Sequence, residues 1–169
     1  MKANELMIGD WVGYLPTWKN EDGSIDRDGD PNDPIPFKVE MVCWDCVDLD
    51  DREGGSFDAD DICLYPLPLT REILLKNGFE EILFDEKGEE SLSGEPSEIF
   101  RHDRYSDKYI IEIGNYSPNF INILWKSFGE DGWEKGTILN ALPPDGECLH
   151  VHELQHILRT YCIEKEIEL

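Results

Sequence analysis

The chain has 169 residues, 40% of them hydrophobic, and sets 38 Asp and Glu against 15 Lys and Arg, for a formal net charge of −23. That is one domain of ordinary size or two small ones, with enough apolar and aromatic material for a core, which excludes wholesale disorder. The charge repels phosphate backbones and anionic headgroups, and no apolar run nears the roughly 20 residues of a membrane span, so neither direct nucleic-acid binding nor membrane association is expected.

Leu6, Ile8, Trp11, Val12 and Tyr14, punctuated by Gly9 and Gly13, predict a first strand. Residues 20–34 have nearly pure turn composition and predict an acidic loop. Phe37, Val39, Met41 and Cys43 alternate with Lys38, Glu40 and Val42, which predicts a half-buried strand with the first set inside. A second acidic loop is expected over 45–61, around Gly54 and Gly55, and Ile62 to Tyr65 reads as another short strand. Short strands joined by turn-rich loops point to a small SH3-like barrel over residues 1–65.

The run from Pro66 to Leu69 marks a division. Thr70 is a good N-cap for a short helix over 71–77, and Asn77-Gly78 is its stop. Phe79 to Phe84 predict a strand, and residues 85–98 a third acidic loop. Ile99 to Tyr116 and Phe120 to Phe128 carry the strongest β signal, with turns at 115–119 and 129–132 before Gly136 to Leu139. That pattern predicts an antiparallel meander. Val151, Leu154, Leu158 and Tyr161 recur at three and four residue steps, predicting a helix over about 149–162 docked on the meander. The expected fold is α+β, with residues 1–65 a β-rich subdomain and 66–169 an α+β subdomain.

The sharpest motif is His152-Glu-Leu-Gln-His156, an H-E-x-x-H on the last helix. In zinc peptidases two such His bind one metal and the Glu polarises its water. At about 100° per residue from Val151, the apolar set centres near about 320°, whereas His152 falls near about 100° and His156 near about 140°. Both histidines are therefore expected to face solvent, and His156→Asn to be nearly neutral for folding. A third ligand is also wanting: Arg159 stands where the metzincin pattern needs Gly, and Cys162 where it needs His. Zinc is thus not expected. Were it found, His152, His156, Glu153 and His150 would be its candidate ligands.

Cys43-Trp-Asp-Cys46 is a lone C-x-x-C without the further ligands of a structural zinc site, and Cys43 is expected to pack in the core. Residues 26–33 resemble a calcium loop at first sight, but Pro31 stands where the loop needs Gly and Phe37 where it needs Glu. No nucleophile elbow, P-loop or dinucleotide fingerprint is present. Five cysteines, an odd count without repeating spacing, read as reduced thiols of a cytoplasmic protein, and the opening residues carry no export signal. Trp18, Trp44 and Trp133 are candidate exposed aromatics.

Four segments together carry a resemblance: Met1 to Val12, Pro66 to Phe79, Tyr109 to Ile113 and Leu149 to His156. They resemble a family of small uncharacterised proteins of gut bacteria, their phages and integrated elements, with an opening like MKANELRIGNWV, a centre like PIPLTEEWLLKFGF and a close like VHQLQNLYFALTG. The resemblance implies no assigned reaction, so it supplies no catalytic residue. Family members commonly carry Asn where His156 stands, which speaks against a helix built around zinc.

These readings predict a non-enzymatic accessory protein of a phage or mobile element, without catalytic residues or cofactor, working through a protein partner of basic character. No motif specifies an oligomeric state. A nucleic-acid mimic is the alternative, since 22 of the 38 acids fall in 21–33, 45–61 and 80–98. A zinc hydrolase using His152, Glu153 and His156 ranks third.

Overall fold

The structure, a computed structural model, describes residues 1–31, 33–44, 46–91, 95–102, 109–114, 120–125, 128–129, 132–133, 137–141, 149–163 and 165–169. The fold is α+β, built mainly of antiparallel strands with two α-helices among the described residues. Contacts divide the chain into two units: Met1–Pro68 with His150–His156, and Leu69–Leu149 with Ile157–Leu169. Among the described residues, no helix is long and apolar enough to cross a membrane.

The first unit opens with a 3-10 turn, Ala3–Glu5, followed by β1 (Trp11–Tyr14), β2 (Thr17–Lys19), β3 (Ile25–Arg27), β4 (Ile35–Val42), β5 (Cys46–Asp50), β6 (Ser56–Asp60), a second 3-10 turn Asp61–Cys63, and β7 (Leu64–Tyr65). Its main sheet runs β6-β5-β4-β1-β7, and β2 pairs with β3 as a separate hairpin. Among the described residues this sheet does not close into a barrel.

Val12, Val39, Val47, Leu49, Ala59 and Leu64 fill the core of this unit. Tyr14, Phe37 and Phe57 pack edge to face on it, with centroids 5.1 to 5.8 Å apart. Each such pair contributes about 0.5–1.5 kcal/mol beyond its area.

Two kinds of sequence expectation are corrected in this unit, the extent of the loops and one core assignment. Residues 45–61 are not a loop: β5 and β6 form a hairpin in register from Cys46↔Asp60 to Asp50↔Ser56. Val47 and Leu49 face inward against Ala59 and Phe57, while Asp48, Asp50, Asp58 and Asp60 take the other side. The alternation is present, but each strand spans five residues and its outer face is acidic, so composition masked the period. Likewise part of 20–34 pairs as the β2–β3 hairpin.

The second correction concerns Cys43, which is exposed. The β4–β5 register shifts between Val39 and Met41. That irregularity turns Met41 outward, packs Val42 against the core, and leaves Cys43 past the strand end with its N–H donating to the Cys46 carbonyl at 2.9 Å.

The second unit holds α1 (Arg71–Lys76), β8 (Glu80–Phe84), β9 (Glu95–His102), β10 (Tyr109–Gly114), β11 (Phe120–Trp125), β12 (Phe128–Gly129), β13 (Gly132–Trp133) and β14 (Thr137–Ala141). The five-stranded sheet β14-β11-β10-β9-β8 is antiparallel throughout, as the meander pattern predicts. The loop expected over 85–98 is shorter than that, because β9 begins at Glu95. The turn expected at 115–119 lies outside the described residues.

Thr70 caps α1, its hydroxyl accepting the Ile73 N–H at 3.3 Å. Gly78 follows at φ +82, a conformation glycine adopts without strain. The buried Asn77 amide then pairs with the Glu168 backbone in both directions, at 2.7 and 2.9 Å, and pins the chain's last residues.

The last helix, α2 (Val151–Thr160), gives His150–His156 to the first unit and Ile157 onward to the second. It ends in a Schellman turn: Ile163 N–H bonds the Leu158 carbonyl, Cys162 N–H bonds the Arg159 carbonyl, and Cys162 takes the left-handed φ of 54. In the second unit Tyr161 meets Tyr109 of β10 edge to face at 5.4 Å.

Candidate functional site

The only sequence motif with a catalytic precedent sits at the start of α2, and its surroundings begin with the turn before β1. Asp10 N–H closes that turn on the Met7 carbonyl at 3.0 Å. Gly9 N–H bonds the Val39 carbonyl, and Val39 N–H returns to the Asp10 carbonyl at 2.9 Å, so β4 fixes the turn in place. This geometry buries Asp10 completely. Its Oδ2 accepts the Met7 N–H at 2.8 Å and lies 2.6 Å from His156 Nε2.

Gln155 fastens the same segment. Its Oε1 accepts the Trp11 N–H and its Nε2 donates to the Gly9 carbonyl, both at 3.0 Å. One buried amide thus satisfies two backbone groups at the strand entry.

Glu153 has a local task. Its Oε2 accepts the His150 backbone N–H at 2.7 Å and faces His150 Nδ1 at 3.2 Å. This is the back-reaching carboxylate of a capping box, placed in the first turn where the helix dipole favours a negative charge. Burial pushes its carboxyl up, but the hydrogen bonds from the His150 side chain and backbone prevail and hold it below the ordinary range.

His152 lies between the other two imidazoles. Its ring stacks on His150 with centroids 5.7 Å apart and meets His156 edge-on at 5.8 Å. Its Nδ1 is shut off from solvent with no hydrogen-bond partner. Burial, the largest cause, pushes its pKa down to about 4, so it is neutral near pH 7.

The expectation that His152 and His156 face solvent is therefore wrong. Val151, Leu154 and Leu158 are buried as the apolar period predicts. Gln155 falls between that stripe and the two histidines, at about 40° on the same wheel. The packed arc is wider than the apolar stripe because polar backbone at Gly9–Trp11 offers partners for polar side chains. Asp10 and Gln155, the residues that organise the site, were missed by sequence reasoning. The one available signal was an acid after Gly9 at a strand entry.

The motif's residues do come together, but each makes a bond or ring contact within the unit. Among the described residues, no group of three or more His, Cys, Asp or Glu side chains is placed to hold a metal ion. The apparent calcium loop is divided, with Asp26 in β3 accepting from Asn20 Nδ2 at 2.9 Å.

A different surface forms on the outer side of the β5–β6 hairpin. Asp48 stands directly across from Asp58, and the hydrogen bond between their carboxyls raises the Asp48 pKa. Met41 pairs with Asp48 from β4 and is exposed. Trp44, between β4 and β5, is 94% exposed. Trp18 is also exposed, on the β2–β3 hairpin, and the side chain of Trp133 lies outside the described residues. No protein-family model, curated protein or solved structure matches the chain.

Proposed function

We infer that this is a non-enzymatic accessory protein of a phage or mobile element, cytoplasmic, acting through contact with a basic protein partner. The observation that carries the partner reading is the exposed Met41 standing across from Asp48, whose carboxyl pairs with that of Asp58, on strands whose β4–β5 connection carries the exposed Trp44. Clustered acids suit the heads of Arg and Lys, and an exposed apolar or aromatic side chain suits their stems or cations. The mobile-element context rests on the resemblance of the four sequence segments. The thiols of Cys43, Cys63 and Cys162, outside any disulfide, accord with a reducing compartment.

The first unit reads further as SH3-like. Support comes from the sheet order β6-β5-β4-β1-β7, the β2–β3 excursion between β1 and β4, and the 3-10 turn leading into β7.

Titration with an Arg-rich 12-residue peptide tests the partner reading. Binding is expected at low ionic strength and should weaken about tenfold or more in high salt, as screening shortens the reach of charge to a few Å. Trp44→Ala should weaken it several-fold at either salt. No binding at low salt would reject the reading. The acidic mimic remains the second reading, favoured by the four aspartates of the β5–β6 hairpin. It requires a DNA-binding partner that DNA itself displaces.

A further inference from the structure

The histidine cluster at the start of α2 plays no part in the proposed partner surface. His156 is bonded to the buried Asp10 carboxylate at 2.6 Å, and His150 faces Glu153 at 3.2 Å. His152, between them, has neither, and its Nδ1 is sealed from solvent without a hydrogen-bond partner. The charged and titratable groups around it are Asp10, from the turn before β1, and Glu153, His150 and His156 from its own helix.

The geometry points to an acid-opened latch: protonation of His152 releases the first half of α2, His150–His156, from the Gly9–Trp11 segment while the sheet of β8–β11 and β14 stays folded. A proton on His152 would sit in a largely dehydrated position beside two further imidazoles. The bonds that hold the latch, from Gln155 to Trp11 and Gly9 and from His156 to Asp10, all leave the same stretch of helix. Moving His152 into water moves them together.

The direction follows from burial. In the closed form the His152 pKa is pushed down to about 4, whereas in the open form it returns to the ordinary 6.5. The open form therefore takes up the proton first, and the closed form loses stability as pH falls from 6.5 toward 4. Below that window both forms are protonated and the loss levels off. At pH about 4.5 the closed-to-open ratio should be lower than at neutral pH by on the order of 60-fold. Glu153, with its carboxyl held low, keeps capping the helix through much of this range.

Hydrogen exchange on the full chain at neutral pH and at about pH 4.5, corrected for intrinsic rates, reads the latch at the Trp11 amide, the group Gln155 holds. Expected is a loss of protection at Trp11 on the order of 60-fold with little change at Ile111 and Ile113 of β10. In His152→Leu the selective loss should vanish, and if that variant does not fold, His152→Gln serves with protection at both pH values as the readout. Unchanged Trp11 protection, an equal loss in β10, or the same selective loss without His152 would each overturn the latch.

Discussion

Asp10→Ala is expected to lower the free energy of unfolding by about 3 kcal/mol. The carboxylate is fully buried, accepts the Met7 N–H at 2.8 Å and is bonded to His156 at 2.6 Å. Hydrogen bonds to charged groups contribute about 1.5–3 kcal/mol each, and truncation also strands the donors that were satisfied. His156→Ala should cost about 2–4 kcal/mol, because it leaves a buried carboxylate with one donor fewer. His156→Asn keeps an N–H donor and should cost less than His156→Ala. Urea unfolding followed by tryptophan fluorescence measures all three, and the Asp10/His156 double-mutant cycle isolates their coupling. A loss under about 0.5 kcal/mol in Asp10→Ala would mean the pair does not hold the turn.

Leu154→Ala should cost about 2–4 kcal/mol by opening a cavity that rigid neighbours only partly refill. Leu154 is 0% exposed, as are Val151 and Leu158 on the same helix. Met41→Ala, at an exposed position on the outer face of β4, is the control and should change stability by less than about 0.5 kcal/mol. Equal effects at the two positions would contradict the burial assigned to α2.

Elements with long or clean periodicity were legible in the sequence. The meander follows from alternation in Tyr109–Gly114 and Phe120–Trp125, and α1 from the Thr70 cap and the Asn77-Gly78 stop. The β5–β6 hairpin was not legible, since an acidic outer face and five-residue strands make a strand look like a loop. Cys43 was misassigned because a register shift between Val39 and Met41 has no local sequence mark. The histidines were misassigned for a more general reason. A wheel ranks positions by apolarity, whereas Gln155 and His156 bond to backbone and a carboxylate 144 to 146 residues away in sequence, and His152 packs against the His150 and His156 rings. Polar burial of that kind depends on partners that no helical period contains.

The H-E-x-x-H stretch is on this reading a fastening: Glu153 caps the helix and His156 holds Asp10. Elemental analysis of the tag-free protein after exhaustive dialysis tests that directly. The expected result is zinc far below one atom per chain, unchanged in a His152→Asn, His156→Asn double variant. One zinc per chain that survives dialysis and disappears in that variant would contradict it and return the motif to metal chemistry.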